Sequence, residues 1–357
     1  MPMYFCRKLI FTLRKYFRGK YSNSLLLHLI AFIVVINEWI VYCSYKNFWP
    51  NTICGDLQDY YKVLFVADPQ ILGENTESWI ARWDSDRFLR KTYLYALQHA
   101  EPSVVVFLGD LMDEGSQADD EQFSRYFTRF KRIFNHESSS VNMTIFLPGD
   151  NDIGGEDELI FFPNVKRFEN YFDKKPIVER YQNIEFYKVN KLLRRFPTIS
   201  NKNNTIRIAV SHIPLLGYAD ETTEKVITRL RPHLIFSGHD HKSVHFVGDL
   251  NTGETIYVEV FNDRVKYDRL PKWRFQSSKS HTNEILVPTC SYRMGVQNIG
   301  YGLAVIDKKG EYFCYQILWL PQRLTQLKVY LYCIPPIILL MLFPTIKRFY
   351  NCLVCLK

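Results

Sequence analysis

A chain of 357 residues with 47% hydrophobic and 15% aromatic content can bury a substantial core, which argues against a disordered protein. The net charge of +8 is concentrated at the ends: ten Lys and Arg residues, and no acid, lie before Glu38 and after Leu327. Because these ten cations exceed the whole net charge, the middle of the chain is slightly acidic. The composition therefore argues against a nucleic-acid-binding protein.

The first apolar run, LLLHLIAFIVVINEWIVYC, extends from Leu25 to Cys43. It is about long enough to cross a bilayer core of roughly 30 Å as a helix. A cleaved signal peptide is the alternative, but the charged leader is long and no small-x-small cleavage site follows. We predict a basic cytoplasmic tail over residues 1–24 and a transmembrane helix over 25–44. Asn37 and Glu38 should lie at the lumenal interface, or face a partner helix or a polar lipid head group.

Five apolar runs of strand length follow, and each ends in a polar residue of the kind that binds metals. They are KVLFVAD (62–68), SVVVFLGD (103–110), MTIFLPGD (143–150), IRIAVSH (206–212) and HLIFSGHDH (233–241). Continuous runs of this kind are typical of strands buried on both faces. Helical patterns separate them, and the aromatic stripe from Phe123 to Phe134 indicates a helix packed on the core. More hairpin-like strands follow Thr255, so we expect a mixed sheet or two packed sheets flanked by helices.

The second apolar run, VYLYCIPPIILLMLFPTI, covers residues 329–346 and contains Pro335 and Pro336. It is long enough to span a bilayer, and proline is tolerated in such helices. A buried core helix is the alternative. We predict a transmembrane helix over 327–346, a cytoplasmic tail over 347–357 and a folded domain over 45–326. Six cations precede the first span, so the positive-inside rule places the N-terminus in the cytoplasm and the domain in the lumen of a secretory compartment.

A lumenal location affects two kinds of residue. Asn142 and Asn203 stand in N-x-Thr sequons and would be candidate glycosylation sites. Cys54, Cys290 and Cys314 are too few for a disulfide scaffold but allow one bridge.

The polar residues that end the five runs form a candidate metal site: Asp68, Asp110, Asp150, His212, His239 and His241. In an open α/β sheet, the carboxyl ends of the strands are where such sites form. One Asp after a strand is more often a helix cap or a turn residue, but six ligand-type side chains at equivalent positions favour a metal site. Carboxylates and imidazoles without thiols favour Mn²⁺, Fe or Zn²⁺ over a structural zinc site.

The blocks DPQILGE, GDLMDEG, GDNDIGG, SHIPLL and GHDH occur in this order. They resemble the motif blocks of the calcineurin-like metallophosphoesterases. With a span at each end, the whole chain resembles the membrane-anchored members of that family that remodel GPI anchors. The resemblance implies a four-layer α/β/β/α sandwich that holds two metal ions, with Mn²⁺ as the cofactor. It implies removal of ethanolamine phosphate from the GPI glycan at endoplasmic reticulum exit sites, in the ER–Golgi intermediate compartment or in the cis-Golgi. The activity would then aid ER-to-Golgi transport of GPI-anchored proteins.

The family pattern also implies a role for each candidate ligand. It assigns Asp68 and His241 to the first metal, Asp110 to both metals, and Asp150, His212 and His239 to the second. The catalytic residues that it implies are Asp110, His212 and Asn151.

Three positions depart from that pattern. Gln70 stands where the family usually has His, so the first metal would be bound more weakly or would use a water molecule instead. Asp150 replaces Asn, and its extra negative charge should strengthen cation binding while reducing polarisation of the substrate. Asn151 replaces the His that is assigned to protonate the leaving oxygen. An amide cannot act as that acid, and general acid help is worth roughly 10² to 10⁴ in rate.

These departures leave more than one function open. The chain is either a lumenal phosphodiesterase or a catalytically impaired module that binds the GPI glycan or another phosphodiester for cargo export. An esterase for a different phosphate diester would use the same metal residues. Residues 153–206 and the basic loop 261–284 are candidates for the substrate wall, and Arg293 is the best candidate to reach the site from the segment after 288.

Overall fold

The computed structural model describes residues 21–50, 59–135, 140–156, 158–173, 177–198, 205–261 and 273–355. The chain forms two compact units. One is built from the two ends of the chain, and the other is Tyr45–Pro321.

The described helices are α1 (Tyr21–Val35), α2 (Val41–Phe48), α3 (Trp79–Ala100), α4 (Asp120–Ile133), α5 (Asp150–Ile153), α6 (Phe162–Tyr171), α7 (Glu221–Leu230) and α8 (Arg323–Cys355). A π-helical turn, Ile36–Ile40, joins α1 to α2. The described strands are β1 (Tyr60–Val66), β2 (Val104–Phe107), β3 (Met143–Phe146), β4 (Val178–Tyr181), β5 (Ile184–Val189), β6 (Ile206–Ser211), β7 (Leu234–Ser237), β8 (Val244–Asp249), β9 (Thr255–Val260), β10 (Trp273–Gln276), β11 (His281–Leu286), β12 (Gly300–Asp307) and β13 (Tyr312–Trp319).

Two mixed sheets form the centre of the Tyr45–Pro321 unit. The first has the strand order β10-β13-β12-β1-β2-β3, and the second has the order β4-β5-β6-β7-β11-β8-β9. In the first sheet β1, β2 and β3 run parallel, and in the second β5, β6 and β7 do. The five apolar runs of the sequence are β1, β2, β3, β6 and β7, so the carboxyl ends of the predicted strands lie along one edge of each sheet.

The inner faces of the two sheets pack on each other. Val63 and Phe65 of β1 belong to the same buried cluster as Phe186 of β5 and Phe236 of β7. The rings of Phe65 and Phe236 stack with their centroids 3.9 Å apart. Full burial of such a side chain stabilises the fold by about 1.5–3 kcal/mol, so these contacts hold the sheets together.

Helices cover the outer faces of both sheets. Phe107 of β2 points away from the shared core and contacts Tyr93 of α3 and Phe130 of α4. On the second sheet, Val226 of α7 packs in a cluster with Ile235 of β7. The predicted four-layer α/β/β/α sandwich is confirmed.

Helix α4 shows how the sequence determines one of these outer helices. The side chain of Asp119 accepts a hydrogen bond from the backbone N–H of Gln122 at 2.8 Å, and the Gln122 side chain accepts one from the backbone N–H of Asp119 at 3.2 Å. This capping box satisfies donors that the start of a helix leaves unpaired. Phe123, Tyr126 and Phe130 are buried on one face, as the aromatic stripe predicts.

Two helical segments are long and apolar enough to cross a membrane: Asn23–Phe48 and Arg323–Leu342. The first encloses the span predicted over 25–44, and α8 encloses the one predicted over 327–346. Helix α8 continues through Pro335 and Pro336. The basic leader before Tyr21, which carries the orientation argument, lies outside the described residues.

A buried polar cluster joins the π-helical turn to α8 within the unit built from the chain ends. Arg323 Nη1 and the Tyr330 hydroxyl each donate to Glu38 Oε1 at 2.8 Å. The side chain of Gln326 donates to the carbonyl of Asn37 at 2.9 Å, and the Asn37 side chain donates to the carbonyl of Gln326 at 3.2 Å. Asn37 and Glu38 therefore face a partner helix, which is one of the alternatives left open by the sequence.

Replacing Glu38 alone should destabilise this helix pair more than removing the whole ion pair. The variant Glu38→Leu leaves the buried Arg323 without its carboxylate, which costs about 3–5 kcal/mol. In Glu38→Leu/Arg323→Leu both charges are replaced by apolar groups. We expect the single variant to lower the Tm of the full chain in lipid nanodiscs and the double variant to recover most of that loss. Equal losses in the two variants would contradict the ion pair as the cause.

The structure describes one of the two sequon asparagines and two of the three cysteines of the folded domain. Asn142 is exposed and directly precedes β3, whereas Asn203 lies outside the described residues. Cys290 is buried with a free thiol, and Cys314 is disulfide-bonded, so a bridge does form. Cys54 lies outside the described residues, and glycosylation of either Asn stays a prediction.

Candidate metal centre

Five of the six predicted ligands converge where the carboxyl ends of the strands meet. Asp68, Asp110 and His212 form one group, and Asp150, His212 and His239 form a second; within each group, one ligand atom from each residue lies within 4.8 Å of the others. The three carboxylates follow strands of the first sheet, and the imidazoles follow strands of the second. The centre is therefore assembled from both halves of the sandwich.

His241 stands apart from these groups. It is half-buried and adopts the left-handed backbone conformation, with φ 61°, but it belongs to neither group of converging ligand atoms among the described residues. Burial lowers the pKa of its ring to about 4, so the imidazole is neutral at pH 7 and suited to binding a metal. Its assignment to the first metal stays a prediction.

His212 is held by a contact that selects its ligand atom. Its Nδ1 lies 2.8 Å from the carbonyl oxygen of Leu108, so this nitrogen carries the proton and donates. Nε2 then remains as the ligand atom, 2.9 Å from Asp150 Oδ1 and 3.4 Å from Asp110 Oδ1. His239 reaches the same oxygen of Asp150 through Nδ1 at 3.2 Å. This arrangement agrees with a second metal bound by Asp150, His212 and His239.

Two of the motif glycines are required by space. A Cβ on Gly109 would lie 2.6 Å from Nδ1 of the His212 ring, and the residue has φ +95°, which non-glycine residues rarely adopt. A Cβ on Gly149 would lie 2.0 Å from Oδ1 of Asp110. Both positions let ligand side chains approach the backbone closely.

Several ligands adopt a left-handed backbone conformation that is costly for residues with a Cβ. The residues, with their φ values, are Asp68 at 46°, Asp110 at 51° and His239 at 74°. Each such residue costs about 1–3 kcal/mol unless the surrounding structure holds it in place. With His241, candidate ligands make up four of the nine non-glycine residues with positive φ in the described chain, and such strain often occurs at functional sites.

The charges of the centre fit bound cations. Asp68 and Asp110 are buried and form no ion pair with Lys or Arg in the described ranges. Burial raises the pKa of Asp68 to about 7 and raises that of Asp110 as well. Burial lowers the pKa of His212, but the carboxylates of Asp110, Asp150 and Asp68 outweigh it and raise the pKa to about 10. Bound divalent cations would neutralise the negative charge of these carboxylates, which no Lys or Arg in the described ranges neutralises.

The two amides that replace the family's histidines both bind Asp110. Gln70 Nε2 donates to Asp110 Oδ2 at 2.8 Å, and Asn151 Nδ2 donates to the same oxygen at 3.0 Å. The backbone N–H of Asn151 donates to Oδ1 at 3.0 Å. Gln70 thus directs its amide nitrogen, which cannot bind a metal, toward the Asp110 carboxylate, and the two amides hold that carboxylate in place.

Asp152 ties two ligand loops together. Its side chain is fully buried and accepts hydrogen bonds from the backbone N–H groups of Leu111, Met112 and Gly149 at 2.9–3.0 Å. Burial raises its pKa to about 8, and these bonds oppose that rise. Asp152 therefore positions the loops that carry Asp110 and Asp150.

Glu284 is a supporting residue that sequence reasoning missed. Its buried carboxylate accepts hydrogen bonds from the backbone N–H groups of Leu215 and Leu216, at 2.7 and 2.5 Å, and from the Ser237 hydroxyl at 2.7 Å. These donors lie just after His212 and just before His239. A charged residue directly before the apolar run ILVP is the signal that could have identified it.

Replacing Glu284 by Gln should destabilise the fold and weaken metal binding. An amide nitrogen cannot accept a hydrogen bond, so at least one buried donor loses its partner at a cost of about 1–3 kcal/mol. We expect a lower Tm for the full chain and a smaller rise of Tm on adding Mn²⁺. Glu224→Gln, on the exposed face of α7, is the matched control and should leave both values unchanged. Equal behaviour of the two variants would rule out this role for Glu284.

The predicted substrate-wall residues are only partly described. Arg293 forms an ion pair with Glu77 rather than with a carboxylate of the centre. The basic residues Arg264, Lys266, Arg269 and Lys272 lie outside the described residues. A phosphate contact by this loop or by Arg293 stays a prediction.

Comparison with known proteins identifies the family. The pattern of the calcineurin-like phosphoesterases matches residues 52–243. Cell division control protein 1 of Saccharomyces cerevisiae is 22% identical, over 84% of this chain and 68% of its own length. Metallophosphoesterase 1 of Cricetulus griseus is 28% identical, over 63% of this chain and 75% of its own length, and that of Ailuropoda melanoleuca is 28% identical, over 73% and 79%.

Two solved structures are similar to this chain at low sequence identity. A purple acid phosphatase from yellow lupin (Lupinus luteus) seeds has a TM-score of 0.43 at 11% identity and covers 73% of this chain and 52% of its own. A metallophosphoesterase from Sphaerobacter thermophilus has a TM-score of 0.34 at 11% identity and covers 72% of this chain and 88% of its own.

The family match spans more than half of the chain and includes all five motif blocks and all six predicted ligands. The match, the α/β/β/α sandwich and the carboxylate–imidazole groups all agree with metal-dependent hydrolysis of phosphoesters. The chain belongs to the calcineurin-like phosphoesterases and is a metallophosphoesterase.

Proposed function

We propose that this chain is a two-metal phosphodiesterase of the early secretory pathway that removes ethanolamine phosphate from the glycan of GPI anchors. The observation that carries the proposal is the convergence of Asp68, Asp110, Asp150, His212 and His239 from both sheets. The relatives named Metallophosphoesterase 1 support a phosphoesterase of that type. The terminal apolar helices suit an enzyme whose substrate is a membrane lipid.

The residues have distinct roles in this proposal. Two divalent ions, which we propose are Mn²⁺, supply Lewis acidity toward a phosphoryl oxygen and activate a water molecule. Asp68, Asp110 and His241 would hold the first ion, and Asp110, Asp150, His212 and His239 would hold the second. Gln70 and Asn151 hold the Asp110 carboxylate between them. Asn151 can also donate a hydrogen bond to the leaving oxygen, but it cannot transfer a proton to it.

The rim of the centre suits a substrate that carries an amine. Glu156 Oε1 lies 3.8 Å from His239 Nε2, and Asp240 accepts a hydrogen bond from the Tyr218 hydroxyl at 2.7 Å. The Tyr218 ring lies beside the His239 ring, with 6.2 Å between centroids. Carboxylates beside an exposed aromatic ring are complementary to an ammonium group such as that of ethanolamine phosphate.

The test is hydrolysis of a synthetic mannose glycan that bears ethanolamine phosphate. The full chain in nanodiscs, loaded with Mn²⁺ and checked for metal content, should release ethanolamine phosphate, as followed by mass spectrometry. Chelation should stop the release and Mn²⁺ should restore it. Turnover no greater than that of metal-loaded Asp110→Asn would refute the proposal.

A binding role is the second candidate, and the Asn151 substitution favours it. In this alternative the chain binds the GPI glycan or another phosphodiester and helps cargo to leave the compartment without cleaving it. Cells that carry only Asp110→Asn distinguish the two. Normal export of GPI-anchored proteins in those cells would support binding and contradict the phosphodiesterase proposal.

A further inference from the structure

Helix α3 exposes large apolar side chains on its outward face. Trp79, Ile80 and Trp83 are 70%, 57% and 59% exposed. Leu94 continues the same stripe three turns further along, because residues three or four apart share a helix face. Exposed tryptophans of this kind occur most often where a protein meets a partner or a membrane interface.

The same face is cationic. A groove of about 630 Å³ runs along α3 and α4 and is lined by Trp79, Trp83 and Leu94 together with six cations: Arg82, Arg87, Arg90, Lys91, Arg129 and Arg132. Asp86 is the acid that lines the groove within the described chain. It pairs with Arg129 at 2.8 Å, and Arg82 pairs with Glu74 at 3.4 Å. Arg90 and Arg132 form no ion pair within the part of the chain that the structure describes, so the groove offers positive charge to a ligand.

Aromatic and cationic groups are interleaved on this face. The guanidinium of Arg87 lies over the Trp83 ring, 5.5 Å from its centroid. Such a pair presents one apolar and one charged group at the same depth. Tryptophan with arginine is the combination found at the head-group level of membranes, where the ring lies among the lipids and the cation meets phosphate.

Helix α7, in the opposite outer layer, shows that the α3 face is unusual for this fold. Its outward residues include Glu224 and Arg229, and none of its side chains is a large exposed apolar group. The two helices cover equivalent faces of the sandwich, so the apolar and cationic face of α3 is not a requirement of the architecture.

The chain also carries two helical segments that are long and apolar enough to cross a membrane, Asn23–Phe48 and Arg323–Leu342. A chain anchored by such helices has a bilayer at high effective concentration, so a lipid surface is a readily available partner for this face.

We infer that the outward face of α3, with the groove that it shares with α4, binds the head-group layer of a phospholipid bilayer. Trp79, Ile80 and Trp83 enter the interfacial region, and Arg87, Arg90 and Arg132 contact lipid phosphates. The surface goes beyond the phosphodiesterase chemistry, because none of its residues belongs to the metal centre. It would keep the Tyr45–Pro321 unit against the bilayer.

The experiment uses the full chain in phosphatidylcholine nanodiscs, prepared with and without lipids brominated on their acyl chains. The emission of Trp79 and Trp83 is obtained as the difference between the unmodified chain and Trp79→Phe/Trp83→Phe, which keeps the face aromatic. The reference is Glu224→Trp in that double-Phe background, which places a reporter on α7. We expect the α3 emission to be quenched at least about twofold more strongly than the α7 emission, since only α3 lies in the interface.

Charge reversal tests the phosphate contacts. In Arg90→Glu/Arg132→Glu we expect the quenching of the α3 tryptophans to fall toward that of the α7 reporter. Thermal unfolding checks that this variant remains folded. Unquenched α3 emission, or equal quenching of the two reporters, overturns the proposal and favours a protein partner for the face. Strong quenching that survives charge reversal overturns the phosphate contacts.

Discussion

Asp110→Asn should abolish metal-dependent hydrolysis, with kcat/KM falling by about 10³ or more, because the proposal gives both metals this one carboxylate as a ligand. The variant is nearly isosteric but removes one anionic oxygen from the middle of the centre. Gln70 Nε2 and Asn151 Nδ2 both donate to Asp110 Oδ2, so an amide nitrogen at that position would face two donors. The carboxamide must then turn its oxygen toward them and its nitrogen toward the metal. Steady-state hydrolysis of a soluble phosphodiester, with and without Mn²⁺, measures the loss.

Metal binding gives a readout of the same change that does not depend on turnover. Mn²⁺ should raise the Tm of the unmodified chain, as a ligand that binds the folded state does, and should raise that of Asp110→Asn much less. Asp240→Asn is the matched control, since it makes the same chemical change at the rim and should keep most of the Mn²⁺-dependent rise in Tm. An Asp110→Asn variant that retains both the Tm shift and turnover would contradict a bridging role.

The convergence of five candidate ligands was predictable because it depends on a local pattern. Asp68, Asp110 and Asp150 each follow an apolar run, and parallel strands bring such positions to one edge of a sheet. The fold was predictable for the same reason, since the strand runs and the aromatic stripe of α4 mark which faces are buried. No distant contact had to be known for either prediction.

The supporting residues were not predictable, because their roles depend on contacts between distant parts of the chain. Glu284 meets backbone groups at Leu215 and Leu216 only because β11 pairs with β7. The direction of the Gln70 amide depends on a left-handed backbone at that residue, with φ 37°, which its sequence neighbours do not require. Glu38 could be assigned to a partner helix only when Arg323, nearly three hundred residues away, was placed beside it.

The Gln70 and Asn151 contacts change the meaning of the departures from the family pattern. In the sequence alone, Gln70 and Asn151 each replace a histidine of the family pattern, so each looks like the loss of an imidazole. In the structure both amides donate to the same oxygen of Asp110, so the two replacements form one feature that orients the shared carboxylate. The Asp110 carboxylate is therefore held beside the other candidate ligands, while position 151 carries a side chain that cannot act as an acid.

Asn151→His should raise kcat for substrates with a poor leaving group by about 10²-fold, because it restores an acid that can protonate the leaving oxygen. A histidine ring can also keep the hydrogen bond to Asp110 Oδ2 that the Asn151 side chain makes at 3.0 Å. The acid must be protonated to act, so kcat of the variant should fall as the pH rises through the pKa of the new imidazole. The unmodified chain has no such acid at this position, so its kcat should not show this fall with rising pH. Hydrolysis of an alkyl phosphodiester between pH 5 and 9 measures both effects.

The choice of leaving group separates proton delivery from a general repair of the site. An activated ester such as a nitrophenyl phosphodiester needs little protonation of its leaving oxygen, so Asn151→His should change its kcat far less than that of the alkyl ester. Asn151→Ala removes the amide donor without supplying an acid and should slow both substrates together, because Asp110 loses one of its two side-chain donors. If Asn151→His left kcat for the alkyl ester unchanged while keeping its Mn²⁺-dependent Tm shift, proton delivery would have to come from elsewhere.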